Sequence, residues 1–319
     1  MVRASFSKKI FWSSTGAFLV LICLCVIALT GCSKTDPETT ASKEIVHPEK
    51  GLLIGLIPER NIFKQLERYE PLARYVSKKT GIRIDLKVLT RYGNIAENFV
   101  ALNLDGAFLG SFTYALAHAQ LGVEAIARPE YADGSSTYYG MIFVRKDSGI
   151  TSAKDMQGKV FAFVDKATTA GHLLPLAYFK ENGIQDYRTY LKGFYFAGTH
   201  EDAINDVLNK KADIGAAKNT VYYHIAETDK RVNEELVILK RSPDVPQNGL
   251  ALKQDVDSNV RNSIKNVLLT MQNDPEGSNV LKDFGAKRFI ETADNDYNGV
   301  YKYIHEIGLQ LKTYEYMNY

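Results

Sequence analysis

Short strand-like segments alternate with helix-like segments along most of the chain from residue 51 onward. The segment "LLIGLIP" (52–58) has the apolar run of a buried strand, and "IFKQLERYEPLARYVSKKTG" places apolar residues at helical spacing before it ends at Gly81. A second run of the same kind begins at "VFAFVD" (160–165). Strands separated by helices of roughly 10–15 residues predict mainly parallel sheets with helices on both faces. Two such runs predict two α/β lobes.

The first 31 residues have the pattern of a secretory signal. A basic start is followed by the apolar segment "AFLVLICLCVIAL" (17–29), and then by Leu-Thr-Gly-Cys ending at Cys32. This ending resembles the lipobox of bacterial lipoproteins, which predicts cleavage before Cys32 and acylation of that residue. An uncleaved anchor helix is the alternative, but 13 contiguous apolar residues fall short of the about 20 that a span needs. Residues 32–50 are polar and predict a flexible tether.

Removal of the signal changes what the composition indicates. Three of the 39 Lys and Arg residues lie in 1–31, which leaves 36 against 37 Asp and Glu. This balance gives no reason to expect a nucleic-acid partner. Cys23 and Cys25 lie in the signal, so the folded part has no thiol for a disulfide, a metal or a nucleophile. The phosphate-loop, dinucleotide, zinc-protease and serine-hydrolase motifs are absent, so we expect no cofactor, no metal and no catalysis.

Candidate ligand residues follow the ends of predicted strands. Thr168 and Thr169 lie between "VFAFVD" and a helix-like segment. The first amides of a helix lack internal partners and carry partial positive charge, so two hydroxyls beside them suit an oxyanion. An ordinary helix N-cap would use the same residues.

His200 lies in the first predicted turn of another helix, whose N-cap is Thr199, and the helix dipole favours its neutral form. Ligands of open α/β sheets bind outside the carboxyl ends of strands. The other candidates at such places are Tyr92, Gly110, Ser111, Tyr138, Tyr139, Lys218 and Asn219.

An ordered set of segments resembles the substrate-binding proteins of bacterial phosphate/phosphite/phosphonate ABC transporters. The set comprises "LTRYGNIAENF", "AFLGSFTYALAHA", "YADGSSTYYGMIFVRKDSGI", "ATTAGHLLPLAYF", "FAGTHEDAINDVLNKKADIGAAKN" and "KRSPDVPQNGLAL". The resemblance is clear over about 52–242 and looser in the C-terminal helices. The resemblance implies the type II periplasmic-binding-protein (Venus-flytrap) fold, with two lobes joined by crossing strands near 141–146 and 237–242. Lobe 1 would comprise 51–144 and 241–319, and lobe 2 would comprise 145–240.

The resemblance also implies roles for individual residues. Thr168 and Thr169 would bind phosphonate oxygens, with Ala170 where relatives often keep a third hydroxyl, and Tyr92 and His200 match two further ligand positions of the family.

The chain departs from the family pattern at two places. Tyr114 is a candidate to replace a tyrosine that relatives have at position 109. Asn248 stands where aminoalkylphosphonate binders place a carboxylate, which favours phosphate, phosphite or methylphosphonate over 2-aminoethylphosphonate, or another small anion.

The resemblance further implies a monomeric protein on the periplasmic or extracytoplasmic face of a bacterial envelope, and the lipobox-like ending at Cys32 predicts that it is lipid-anchored. It would deliver its anion to an ABC permease with a cytoplasmic ATPase. Two alternatives stay open at this point. The same cleft would serve a sensing lipoprotein that signals to a membrane partner, and an enzyme on the same scaffold would need a nucleophile or metal site that the sequence does not reveal.

Overall fold

The computed structural model describes residues 51–90, 92 and 95–315. The predicted signal (1–31), the acylation site Cys32 and the tether (32–50) lie outside the described residues. Within the described ranges, no helix combines the length and apolar character needed to cross a membrane.

The described part contains both strands and helices in alternation. The strands are β1 (Leu52–Leu56), β2 (Ile84–Val88), β3 (Gly106–Leu109), β4 (Glu124–Glu130), β5 (Thr137–Tyr138), β6 (Gly140–Arg145), β7 (Val160–Phe163), β8 (Gly193–Phe196), β9 (Ile214–Lys218), β10 (Leu236–Arg241), β11 (Val245–Pro246), β12 (Gly249–Leu252) and β13 (Arg288–Glu291). The helices are α1 (Ile62–Thr80), α2 (Ile95–Ala101), α3 (Ser111–Leu121), α4 (Leu174–Glu181), α5 (Tyr187–Tyr190), α6 (His200–Leu208), α7 (Asn219–Thr228), α8 (Arg231–Glu235), α9 (Ser258–Thr270), α10 (Pro275–Phe284) and α11 (Asn298–Ile307).

Two large sheets organise the described residues into two lobes. The six-stranded sheet of the first lobe has the order β13-β4-β12-β3-β1-β2, and the five-stranded sheet of the second lobe has the order β10-β6-β9-β7-β8. Strands β5 and β11 form a short antiparallel ribbon. The chain passes through β5 on its way from the first sheet to the second and through β11 on its way back. The predicted two-lobed α/β fold is therefore confirmed.

Both sheets are mixed, but four of six strands in the first sheet and four of five in the second share one direction, as the prediction of mainly parallel sheets expects. Strand β1 is parallel to β2 and β3, and β7 is parallel to β8 and β9. Strands β6 and β12 pair antiparallel with their neighbours. These two strands follow the ribbon directly, so they start at the edge where the parallel strands of their sheet end. They must therefore run in the opposite direction.

The two segments predicted as crossing strands both belong to the second sheet. Strands β6 and β10 cover 140–145 and 236–241 and pair with each other, with Arg241 opposite Met141. The chain changes sheet between Tyr138 and Gly140 and again between Arg241 and Gly249. The lobe boundaries at 144/145 and 240/241 stay predictions.

Apolar side chains hold the helices against the sheets. Helix α1 buries Tyr69, Leu72 and Val76 on its sheet-facing side. The Tyr69 ring packs edge-on against Phe108 of β3, with ring centroids 4.9 Å apart. Burial of one large apolar side chain contributes roughly 1.5–3 kcal/mol, so this face anchors the helix beside the strands that lead to the cleft.

Candidate functional site

A small buried cavity lies where the two lobes meet. It is lined by Ile57, Glu59, Tyr92, Gly110, Thr113, Tyr138, Thr168, Thr169, His200, Lys218 and Asn248. Eight of these eleven residues are candidates from the sequence. Most of them follow the ends of strands, as the argument from strand ends expects.

The turn after β7 places two hydroxyls beside a helix start. Thr168 ends the turn, and a π-helical turn (Thr169–Leu173) leads into α4. The Thr168 hydroxyl donates to the Asp165 carbonyl at 2.7 Å. The Val164 amide donates to the Gly171 carbonyl at 3.2 Å, which ties the end of the strand to the helix start.

Gly171 allows that close approach. A Cβ at this position would lie 2.3 Å from Cβ of Val164, a distance that requires the backbone to shift. We expect Gly171→Ala to lower the free energy of unfolding by roughly 1–3 kcal/mol, as overpacking of a buried contact does. Urea denaturation measures this. Gly193→Ala is the matched control, because a Cβ there meets nothing within 4 Å. Equal stability of the two variants would contradict the packing argument.

The first lobe contributes the start of α3. Gly110 precedes this helix and leaves room at the cavity, where a Cβ would lie 3.3 Å from Oδ1 of Asn248. The Phe112 amide donates to the Thr169 hydroxyl at 3.0 Å, and the Thr113 hydroxyl donates to the Ala167 carbonyl at 2.9 Å. These two hydrogen bonds join residues on the two lobes, so the lobes are closed on each other around the cavity.

His200 begins α6 and is buried. Thr199 caps this helix as predicted, because its hydroxyl accepts the Asp202 N–H at 3.0 Å. Nδ1 of His200 accepts the backbone N–H of Lys218 at 3.3 Å, which assigns the proton of the neutral ring to Nε2. Burial lowers the pKa of His200 to about 3, with the Lys218 ammonium acting in the same direction and the Glu59 carboxylate against it. The histidine is therefore a neutral hydrogen-bond donor near pH 7.

An ion pair crosses the cavity. Nζ of Lys218, at the end of β9, lies 2.9 Å from Oε1 of Glu59 and donates to Oδ1 of Asn248 at 3.0 Å. Burial alone would raise the pKa of Glu59, but the Lys218 ammonium and its hydrogen bond, with a smaller contribution from Arg68, lower the pKa to about 2. The two charges cancel, so an anion here must be held by directed hydrogen bonds rather than by net positive charge.

Two tyrosines complete the wall. The hydroxyl of Tyr92 is buried and has no hydrogen-bond partner among the described residues. Its ring meets the His200 ring edge-on, with centroids 6.0 Å apart. Burial raises the pKa of Tyr92 and Tyr138, so both phenols are neutral donors at pH 7. A buried hydroxyl without a partner costs about 1–3 kcal/mol, and a ligand acceptor in the cavity would remove that cost.

Four candidates from the sequence lie off the cavity wall. Asn219 and Tyr139 bond each other, since Tyr139 N–H donates to Oδ1 of Asn219 at 3.1 Å and Asn219 N–H donates to the Tyr139 carbonyl at 3.0 Å. Both line a wider outer cleft that also reaches Glu59 and Lys218. The Ser111 hydroxyl donates to the Pro246 carbonyl at 2.6 Å, and Ala170 is buried behind the turn.

Tyr114 does not replace the missing tyrosine. Its hydroxyl donates to Oδ1 of Asp294 at 3.1 Å, and its ring packs on Tyr297 at 4.1 Å between centroids. Both contacts are with the C-terminal part of the first lobe, and Tyr114 is not a lining residue of the cavity.

Three residues of the cavity wall were not predicted from the sequence: Ile57, Glu59 and Thr113. Ile57 and Glu59 follow β1 directly, and Thr113 lies in the first turn of α3. All three positions satisfy the rule that ligand sites gather at strand ends, so the rule itself could have found them.

Comparisons with known proteins agree with this arrangement. The family described as "ABC transporter, phosphonate, periplasmic substrate-binding protein" matches residues 54–297. The chain belongs to this family. The match includes both sheets apart from β1's first residues, and every residue that lines the cavity.

The sequence identity between this chain and its individual relatives is low. It is 28% identical over 210 residues to the phosphate-import protein PhnD of Mycolicibacterium smegmatis, covering 62% of this chain and 64% of that protein, just under two thirds. It is 25% identical over 254 residues to the phosphonates-binding periplasmic protein of Escherichia coli, covering 77% and 73%. A crystal structure of a binding-protein component of an ABC phosphonate transporter from Pseudomonas aeruginosa superposes with a TM-score of 0.74 at 21% identity, covering 80% and 86%.

Proposed function

We propose that this chain is the substrate-binding component of an ABC importer. In this proposal it captures one small phosphorus oxyanion, such as phosphate, phosphite or an alkylphosphonate, between its lobes. The observation that carries the proposal is the buried cavity, where the His200 ring and the turn at Thr168 meet the Tyr92 hydroxyl, which has no hydrogen-bond partner among the residues that the structure describes. The names of the relatives from Mycolicibacterium smegmatis and Escherichia coli support a phosphate or phosphonate ligand.

The donors around the cavity suit a tetrahedral anion. Nε2 of His200 and the phenol of Tyr92 can donate from the two lobes. The Thr113 hydroxyl donates to the Ala167 carbonyl in the closed state and becomes a third donor when that hydrogen bond opens. Hydrogen bonds to a charged acceptor contribute roughly 1.5–3 kcal/mol each. Several such donors compensate for the absence of net positive charge beside the Glu59–Lys218 pair.

Binding requires the lobes to move. The closed cavity is about 10 Å³, which is about the space that one water molecule needs and less than a tetrahedral oxyanion occupies. The hydrogen bond from Phe112 N–H to the Thr169 hydroxyl and the one from Thr113 to Ala167 would open to admit the ligand. The anion would then hold the lobes in a slightly wider closed state, which the permease recognises.

The proposal extends to the membrane anchor, the location and the transport partner of the protein. We propose that Cys32 is acylated, that residues 32–50 tether the protein to the membrane, and that it works as a monomer on the extracytoplasmic face. Its partner is an ABC permease with an ATPase, and no nucleic acid is involved. Capture and release need no covalent step, so we propose no catalytic activity. Within the described residues, no group of three potential ligands could hold a metal ion.

A thermal-shift panel tests the ligand class. A soluble form that starts at Ser33 is unfolded and refolded to remove bound ligand, and is then melted with phosphate, phosphite, methylphosphonate, 2-aminoethylphosphonate, sulfate or thiamine phosphate. A ligand that binds only the folded state at 100 times its dissociation constant adds about 2.7 kcal/mol of stability. We expect a phosphorus oxyanion without an amine to give the largest rise. No shift, or an equal shift with sulfate, would contradict the proposal.

A further inference from the structure

The ammonium of Lys218 is held as a ligand would be. Its Nζ lies 2.9 Å from Oε1 of Glu59, 3.0 Å from Oδ1 of Asn248 and 4.3 Å from the centroid of the Tyr138 ring. The Lys218 residue is only 4% exposed and Glu59 only 7%. We call Glu59, Asn248 and Tyr138 the ammonium cage. A carboxylate, an amide oxygen and an aromatic face are three groups that bind alkylammonium ions.

The cage and the ammonium come from different parts of the molecule. Glu59 follows β1, Asn248 precedes β12 and Tyr138 belongs to the β5–β11 ribbon, whereas Lys218 ends β9 in the second lobe. The first lobe and the ribbon therefore carry a preassembled receptor for a cation, and the second lobe supplies the cation. A buried carboxylate without its partner is strongly destabilising, so the closed state is stable only when one positive charge occupies the cage.

The cage also forms part of the oxyanion cavity. All three of its residues line the same space as Thr168 and His200. A ligand whose anionic end meets those two residues would have any short cationic substituent within reach of the cage. Because Lys218 already occupies the cage, such a substituent meets a like charge and no free acceptor.

We propose that Lys218 is a resident ammonium that sets the specificity of the site against aminoalkylphosphonates. Vacating the cage converts it into a binding site for the amine of such a ligand. This inference rests on the proposed function, since it assumes that the oxyanion binds in the cavity. Beyond that function, the Lys218 side chain occupies the position that a ligand amine would otherwise take.

The test compares variants of the cage by calorimetric titration. Wild type, Lys218→Ala and the double variant Glu59→Gln/Lys218→Ala are titrated with methylphosphonate, 2-aminoethylphosphonate and 3-aminopropylphosphonate. Wild type is expected to bind methylphosphonate at least about tenfold more tightly than either amine, whereas Lys218→Ala reverses this order by at least about tenfold. The double variant loses the preference for the amine because its cage is neutral. Lys240→Ala is the control, since Lys240 pairs with Glu181 at the surface, 2.7 Å apart.

A second readout does not depend on the oxyanion. Ethylammonium chloride is expected to raise the melting temperature of Lys218→Ala relative to equal sodium chloride, and to leave wild type and the double variant unchanged. If wild type binds no phosphorus oxyanion, the proposed function fails, while this rescue still reports on the cage.

A second variant is needed in case Lys218→Ala does not fold. Lys218→Ala leaves a buried carboxylate without a partner, so Lys218→Ser is measured beside it, because its short side chain also vacates the cage and its hydroxyl can hold a water molecule beside Glu59. The same reversal is expected in whichever variant folds. A folded variant that keeps the wild-type order of ligands, or that ethylammonium stabilises no more than it does the double variant, overturns the inference.

Discussion

Lowering the pH from 7 to 5 is expected to reduce the free energy of unfolding by roughly 4 kcal/mol, because two buried histidines resist protonation. Burial lowers the pKa of both His172 and His200 to about 3. An unfolded histidine titrates near 6.5, so the unfolded chain binds more protons throughout this window. Each histidine therefore contributes roughly 2 kcal/mol to the loss at pH 5.

The direction and the window of this effect follow from the depressed pKa values. Stability from the two histidines is fully present above about pH 6.5 and is lost progressively as the pH falls toward 3. The pKa of Glu59 is also lowered, to about 2. Its ion pair with Lys218 therefore contributes stability that is lost only below about pH 4.5, so it does not enter the interval from 7 to 5.

Urea denaturation at pH 7, 6 and 5, followed by circular dichroism, measures the loss. His172→Phe is expected to remove about half of the pH dependence, since the ring lies among Phe163 and Phe196 with centroids 5.4 and 5.8 Å away. His305→Phe is the control, because His305 is exposed. A flat profile for the wild type, or the same slope after His172→Phe, would show that these histidines do not govern acid stability.

His200→Ala is expected to weaken oxyanion binding by roughly ten- to hundredfold without unfolding the protein. Nδ1 of the ring accepts the Lys218 backbone N–H at 3.3 Å, which leaves Nε2–H as the donor to the ligand. Loss of a hydrogen bond to a charged group costs roughly 1.5–3 kcal/mol, and about 1.4 kcal/mol corresponds to a factor of ten in the dissociation constant.

Calorimetric titration with the anion selected by the melting panel measures this loss. Thr169→Val is expected to weaken binding as well, since it removes a hydroxyl of the cavity wall. His224→Ala serves as the control, because His224 is exposed on α7, where it pairs with Glu227. Unchanged affinity in both His200→Ala and Thr169→Val, with the fold intact, would remove the site assignment.

Local patterns in the sequence predicted most elements of the fold but not how the strands pair. The segment 137–148 has the composition of one long strand, yet it divides into β5, β6 and a short 3-10 turn because the chain passes there from the ribbon into the second sheet. Strand β13 has no visible local strand pattern, since only Phe289 of its four residues is fully buried and apolar and polar residues do not alternate. Pairing direction depends on where the chain re-enters a sheet, which no local pattern records.

The site was predictable to the extent that it depends on strand ends. Thr168 and Tyr92 each follow a strand and Lys218 ends one, and the structure brings them to one cavity. The partner of Lys218 was not predictable, because Glu59 lies 159 positions away and meets it only when the lobes close. The sequence indicated Lys218 as a ligand residue at a strand end, and the structure has it in a buried ion pair.

The central claim is that the cavity between the lobes holds one tetrahedral phosphorus oxyanion. The most direct test is a crystal structure of the ligand-free protein soaked with arsenate, a tetrahedral analogue of phosphate whose arsenic gives an anomalous signal. We expect a single strong arsenic peak in the cavity, with arsenate oxygens within hydrogen-bond distance of Thr168 and His200. A peak in the outer cleft beside Arg60, or no peak at concentrations that shift the melting temperature, would contradict the claim.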